Sequence, residues 1–558
     1  MKARVARKIA KRVITILVVL MVAFFLSIFL LTRFYVEPTL RARLQTLIVD
    51  GSDSLYTYKL GDLSTNLFGG NLIASDFQMA VDSNRYAALK QQAALPALVA
   101  SVSVKKASIK GIGLLSFIFG KKIYIKEISS AEADINVLRN FKKQDTSTSV
   151  TKNKEPLWKL LQPKIKDIAI DRIELNGIKL LYQNTEGYDA TKLQFERCDA
   201  AFEKIRIDST SIGDTSRIGY VENFSLALKG LSARSSDSLY QMKADAITYA
   251  SANRYLDIQK FSLQPTLDKD QRLDTFRKSY YAVTFDKVSF NGLRLDRYLR
   301  LNRAEADSVV FQTPKLSVYA DKLGLKNYAS NIGKFPHQKL LGASAIVDIK
   351  KFIAHNMNMD FTQRDEETRE EGTLPLTDLE VSVANIVNDM ALIRQNPVAT
   401  ATASGKIIGS PIETAFRFYL DSAEGKFDVT GRLQNVTAAQ INPLSKTLAN
   451  VEVPSANIEY VSFFVRGEDY NAVADVQMQY NNLSVVLYKR DKETGKNSEL
   501  GFINKLLNKY ALYNSNPASG TVRQAKGVKV ARLTTQTFFG LIWQAIFAGM
   551  QNIILRAA

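Results

Sequence analysis

One thirteen-residue pattern of apolar and polar positions recurs four times along the chain. The copies are VSVKKASIKGIGL from Val102, IAIDRIELNGIKL from Ile168, VTFDKVSFNGLRL from Val283 and VDIKKFIAHNMNM from Val347. Apolar residues fall at positions 1, 3, 6, 8, 11 and 13, a base at position 5, and Gly or Asn at position 10. Alternation at period two places side chains of one parity on one face of a strand. The steps from 3 to 6 and from 8 to 11 each add a residue, which a β-bulge or a tight turn must absorb if the apolar set is to keep its face. Gly or Asn at position 10 suits a positive φ, and Asn176-Gly177 and Asn291-Gly292 are hairpin signals. The unit is therefore expected to be a strand, a bulge, a turn and a returning strand, all feeding one apolar surface. Weaker relatives, IYIKEI from Ile123 and LDIQKFSLQP from Leu256, extend the array, and the irregular spacing implies variable loops.

Between about Lys164 and Tyr488 strand texture continues, with Gly, Asn, Asp and Pro as punctuation and almost no helical periodicity. Residues 144–155 (QDTSTSVTKNKE) form a polar loop, and Arg364 to Glu371 (RDEETREE) reads as a charged hairpin tip. Helical spacing appears near both ends: Leu40, Leu44, Leu47 and Ile48 after Glu37-Pro38, then Leu500, Ile503, Leu506, Leu507 and Tyr510, and finally Leu533 to Leu555. In this last segment Phe538, Leu541, Ile542, Ala545, Ile546, Gly549 and Ile553 share a face, opposite a narrow stripe of Gln536, Gly540, Gln544 and Gln551. Such a helix suits a membrane interface or the capping of a groove, with Arg532, Phe538, Leu541, Ile542, Trp543 and Ile546 as the interface candidates. Packing on the sheet as ordinary core is the competing expectation.

The first forty residues add a location. Lys2, Arg4, Arg7, Lys8, Lys11 and Arg12 precede an apolar run from Val13 to Leu31, long enough at 1.5 Å per residue to cross a ~30 Å hydrocarbon core. Bases before the span and no acid place residues 1–12 in the cytosol, an anchor at 13–32, an extracytoplasmic β region over 33–525 and a C-terminal amphipathic segment over 526–558. No small-x-small cleavage site follows the span, which favours an uncleaved anchor over a signal peptide.

Charge and chemistry then exclude more than they select. The net charge is +19, with no nucleic-acid motif to give it a partner of that kind. Cys198 is the only cysteine, so an intrachain disulfide is impossible, and His337 and His355 stand apart. No cluster has metal-ligand spacing and no nucleophile, Walker or dinucleotide motif is present, so neither an enzyme nor a cofactor is expected.

The basic anchor, the LFGGNL region, the repeats and the C-terminal helix together resemble the AsmA-like proteins of the bacterial envelope, a group that includes AsmA and the TamB-type and YhdP-type proteins. The stretch ATASGKIIGSPIETAFRFYLDSAEGKFDVTGRLQNVTAAQINPL, from Ala401 to Leu444, and QMQYNNLSVVLY, from Gln477 to Tyr488, are similar to the C-terminal core of that group. The resemblance implies a mainly β chain: an inner-membrane anchor and an elongated, bent, antiparallel β-sheet groove in the periplasm that handles phospholipid between the two membranes. Val102, Val104, Ile109, Ile168, Ile170, Ile173, Leu175, Val283, Phe285, Val288, Phe290, Val347, Ile349 and Phe352 are the residues expected to line it. Roughly 28 strands at ~4.8 Å would make a groove on the order of 130 Å, short of the longest relatives, so an outer-membrane or periplasmic protein partner, a flexible reach, or a role nearer the inner membrane is expected. The alternative is a non-enzymatic scaffold with a closed β-core that assists outer-membrane protein assembly.

Overall fold

A computed structural model describes residues 48–558 apart from 67–69, 93, 97, 113–121, 140–158, 160–165, 185–191, 212, 215–216, 236, 270–276, 327, 367–368, 491–496, 519 and 557–558. The expected anchor, the helix after Pro38 and the loop at 144–155 lie outside the described residues. Among those described, no helix is long and apolar enough to cross a membrane. The chain is mainly β and antiparallel-rich, and divides into two compact units, Met1–Ile258 and Gln259–Ala558. Composition does not mark this division, because it falls inside a strand rather than in a linker.

The first unit holds β1 (Tyr56–Lys59), β2 (Leu63–Asn66), β3 (Asn71–Val81), helix α1 (Ser83–Gln91), β4 (Leu98–Ile112), β5 (Lys122–Arg139), β6 (Asp167–Asn184), β7 (Lys192–Ile207), β8 (Asn223–Arg234) and β9 (Tyr240–Ala250). Strand β10 (Tyr255–Pro265) carries the chain across the division. Strands β3 to β9 pair in chain order, all antiparallel except β5 with β6, which run parallel.

The second unit holds β11 (Ser279–Asn291), α2 (Leu295–Leu301), β12 (Arg303–Gln312), β13 (Lys315–Asp321), α3 (Pro336–Leu341), β14 (Ile346–Arg364), β15 (Glu371–Val387) and α4 (Met390–Gln395). It continues through β16 (Val398–Ile407), β17 (Ser410–Tyr419), β18 (Phe427–Thr437), α5 (Ala438–Ala449), β19 (Val451–Gly467), β20 (Asn471–Arg490), β21 (Asn497–Glu499), α6 (Gly501–Leu506), β22 (Gln524–Ala531) and α7 (Phe538–Ile554). Here β12 and β13 act as two halves of one strand, antiparallel to β11 and parallel to β14. The rest of the ladder from β14 to β20 is antiparallel, and β22 closes on β20.

The four repeat copies occupy matched places in this topology. Copies one and three lie on β4 and β11, each antiparallel to the next strand, and copies two and four lie on β6 and β14, each on the far side of a parallel pairing. IYIKEI, the weaker relative, sits on β5 in parallel register with copy two, Ile123 beside Ile168, Ile125 beside Ile170 and Ile128 beside Ile173.

Position 10 has a positive φ in all four copies: Gly111 at 68°, Gly177 at 68°, Gly292 at 68° and Asn356 at 51°. The expected hairpin turn is nevertheless absent. In β6 and β14 the residue is a bulge inside an unbroken strand, with register shifts on either side of Ile178 and between Ala354 and Met357. In β11 it ends the strand before α2. A bulge removes one N–H from the ladder, and that donor needs another acceptor. A side chain on the adjacent strand supplies it: Asn71 Oδ1 for Gly111 at 3.3 Å, Asp199 Oδ1 for Gly177 at 2.6 Å and Glu380 Oε1 for Asn356 at 2.8 Å. A continuous strand or a strand end replaces the hairpin, and 22 strands are found among the described residues rather than about 28.

Candidate functional site: the apolar face

In the first unit the repeat positions line up across strands on one face. Directly paired residues form a row from Leu72 through Ile109, Ile128, Ile173 and Phe202 to Phe224. A second row runs from Met79 through Val102, Ile135 and Leu180 to Phe195. Nearly every member is a large aliphatic or aromatic residue, so neighbours cover one another. Ile109, Ile168, Ile170 and Ile173 are almost inaccessible, Ile170 at 1% exposure, and Val102, Val104 and Leu175 are half-buried against the same clusters. The expected groove residues of this unit therefore lie on one face, but most of that face is buried, with Tyr220 and Val221 from the segment after β7 packed on the cluster that holds Ile109, Ile168, Ile170 and Ile173.

The second unit makes a longer row of the same kind: Phe290, Val309, Phe352, Val383, Ala401, Phe416, Val429, Val465, Ala474 and Val528. Its two ends differ. From Val429 to Val528 the row belongs to the largest core cluster, over which α7 packs against β19, β20 and β22. From Phe290 to Ala401 the row mixes aromatic rings with small residues. There Val283, Phe290, Val347, Ile349 and Phe352 are only half-buried, whereas Phe285 and Val288 are buried. An aromatic ladder crosses this region, Phe261 stacked on Phe285 at 4.8 Å, Phe285 edge-on to Phe311 at 5.1 Å, and Phe311 tilted against Phe352 at 5.5 Å.

Helix α7 corrects the membrane-interface reading. The seven residues assigned to one face by spacing are the seven that are buried, but their partner is the sheet. Phe538, Leu541, Ile542 and Ile546 are core, and Gly549 approaches Val476 so closely that a Cβ would lie 2.4 Å from Val476 Cγ2. Arg532, the first of the interface candidates, is 7% exposed. It pairs with Asp469 at 3.1 Å, donates to the carbonyls of Asn331 and Gln536, and lies 4.1 Å over the Phe335 ring. A guanidinium held by an ion pair, carbonyls and a ring face is a clasp for the start of α7 and is not available to lipid. Of the six candidates Trp543 alone is exposed. Within the polar stripe Gln536 Nε2 donates to Gln544 Oε1 at 2.9 Å, both side chains being half-buried, while Gln551 is exposed.

Helix α6 departs from its reading too. Asn504 is buried and bonds the backbone of Leu487 in both directions, Asn508 does the same for Val485, and Ile503 and Leu506 face solvent. The asparagines cap the edge of β20, so edge satisfaction rather than apolar burial orients the helix.

The titratable groups suit structure. Burial pushes the Cys198 thiol up to about 12, aided by neighbouring Asp199, which opposes thiolate chemistry. His337 is buried, and desolvation lowers it to about 4. His355 lies outward at position 9 of its repeat, 2.8 Å from Glu380. Among the described residues no group of three or more His, Cys, Asp or Glu could hold a metal ion. Compared with models of protein families and with curated proteins, the chain matches none.

Proposed function

We propose that the protein is a membrane-anchored, periplasmic, AsmA-like handler of phospholipid, and that acyl chains rest on the half-exposed part of the second unit's apolar face. The observation that carries this reading is the row from Phe290 to Ala401, apolar without interruption and, apart from buried Val309, half-buried rather than closed. Each methylene kept from water is worth ~0.8 kcal/mol, so lipid needs such a surface to cross an aqueous space. A row of similar apolar positions divides one large desorption barrier into small, nearly equal steps and requires no covalent chemistry. The anchor from Val13 to Leu31 would fix the chain at the inner membrane, and the resemblance supplies the envelope setting.

The closed face around Ile170 favours a second reading for the first unit, a scaffold for a protein partner. Photoreactive residues placed singly at Phe352 and Val383 of the full chain, in cells, distinguish the two. Acyl adducts at both, and none at outward Lys351, are expected. Labelling at Lys351 as strong as at Phe352, or adducts of protein alone, would remove the lipid reading.

A further inference from the structure

With one face of α7 committed to the sheet, the flank between that face and the glutamine stripe carries Phe539, Trp543 and Phe547 at 64, 61 and 45% exposure. Their spacing of four sets them in single file along about 12 Å of helix, and Trp543 stacks on Phe547 at 5.9 Å. Leu533 (70% exposed) and Tyr470 (63%) continue the patch at the helix start, where the Arg532 N–H donates to the Tyr470 carbonyl. At the other end Leu555 is exposed and bridges to Leu512, just beyond the α6 segment that sends Ile503 and Leu506 outward. Scattered exposed apolar residues need no explanation, but a contiguous ridge does.

The charge pattern selects the occupant. Between Arg532 and Arg556 the sequence has no Asp, Glu, Lys or Arg, whereas a helix surface facing water carries charge. A protein partner would meet hydroxyls and amides here, such as those of Thr537, Gln551 and Asn552, but no charged group to pair with. A bilayer asks for the reverse: Trp and Phe at the boundary of headgroup and acyl chain, no charge to desolvate, and bases at the margin. Lys334 and Arg556 are exposed near the two ends of the helix, and the chain as a whole is +19. We infer that Phe539, Trp543 and Phe547 form a ridge that inserts into the surface of an anionic phospholipid bilayer while the buried face of α7 stays on the sheet. The inference does not depend on lipid entering the sheet.

The two tryptophans of the chain are Trp158 and Trp543, so Trp158→Phe leaves Trp543 as sole emitter in the full-length protein. This variant is mixed with phosphatidylcholine–phosphatidylglycerol vesicles whose acyl chains are brominated or plain. The ridge predicts a blue shift with both, quenching by the brominated chains only, and an about fivefold smaller quenching once Phe539→Ser and Phe547→Ser are added. Because both side chains are exposed, those two substitutions leave the melting temperature unchanged. Vesicles that bind the protein through its N-terminal run without quenching Trp543 would overturn the inference. So would a blue shift that needs no lipid and grows with protein concentration, which assigns the ridge to a second copy. A melting temperature lowered as by a core substitution would do the same. Quenching that persists when Phe352 gives no acyl adduct separates the ridge from the lipid-handling reading.

Discussion

Ile173 and Phe352 hold the same position, the sixth, in copies two and four of one repeat, each on the strand beyond a parallel pairing. Their surroundings nevertheless differ. Ile173 lies between Ile128 and Phe202, in a row without a small residue, and is 2% exposed. Phe352 lies between Val309 and Val383, with Ala401 one strand further on, and is half-buried. A repeat thus sets which face is apolar, while what packs on that face sets whether it is closed: Tyr220 and Val221 join the Ile173 cluster, and no such segment belongs to the row of Phe352 among the described residues. The difference also relocates the candidate site, from the whole array to one part of one unit.

The sharpest way to break this comparison is to place a carboxylate at both positions. Ile173→Asp is expected to unfold the first unit at a cost above about 4 kcal/mol, since a buried unpaired charge has no partner there. Phe352→Asp is expected to cost about 1 to 2 kcal/mol, because the new carboxylate can reach water, and to abolish acyl labelling at Val383. Urea unfolding followed by peptide-resolved hydrogen exchange reports each unit by itself. If Phe352→Asp unfolds the second unit as completely as Ile173→Asp unfolds the first, both faces are closed and the distinction falls.

Acid separates the units by a smaller amount. His337 lies on α3 among Phe335 and Phe418, and its depression to about 4 follows from burial, partly offset by the Gly425 backbone and then by the charge of Asp469. The unfolded chain binds this proton near pH 6.5, so the stability contributed by neutral His337 is complete above that value and lost as the pH falls towards 4. The loss amounts to about 3 kcal/mol, felt in the second unit. In the first unit Asp208 behaves oppositely in range. Burial alone would raise it, but hydrogen bonds from Ser211 and Thr210 outweigh burial and hold it well below the usual carboxylate range. Its contribution is complete above about pH 4 and lost only below. Hydrogen-exchange protection, corrected for the slower intrinsic exchange in acid, should therefore fall between pH 7 and 4.5 in the second unit alone, and His337→Leu should abolish the change; an equal fall in both units contradicts the assignment.

Much of this arrangement was legible because it depends on periodicity. The inward parity of Ile168, Ile170 and Ile173, the positive φ at position 10 and all seven buried residues of α7 follow from spacing. What spacing leaves open is the object that a face meets. Asn176-Gly177 satisfies a turn and a bulge equally, and the outcome rests on whether Asp199 of the next strand can accept the displaced N–H. Arg532 looked like a flanking base because its partner, Asp469, is 63 residues away. The parallel pairing of β5 with β6 left one usable trace, the match between IYIKEI and copy two, since strands of like pattern can align their apolar positions in parallel register.

The smallest expected effect tests whether the bulge is one device used in both units. A Cβ at Gly177 would meet nothing nearer than 3.7 Å, so Gly177→Ala carries only the conformational cost of a positive φ, about 1 to 2 kcal/mol. Asn356 already tolerates that region, and Gly there keeps the N–H that donates to Glu380, so Asn356→Gly should change stability by no more than about 0.5 kcal/mol. Asn356→Ala, by contrast, should approach the cost of Gly177→Ala, because both put an unassisted Cβ at a positive φ. Urea midpoints for the three variants decide the matter: similar losses for the two alanines and near-neutrality for the glycine mark a shared backbone requirement at position 10. A neutral Gly177→Ala would mean that the first unit keeps its apolar parity by some other means, and that the repeat is common to the two units in sequence but not in mechanism.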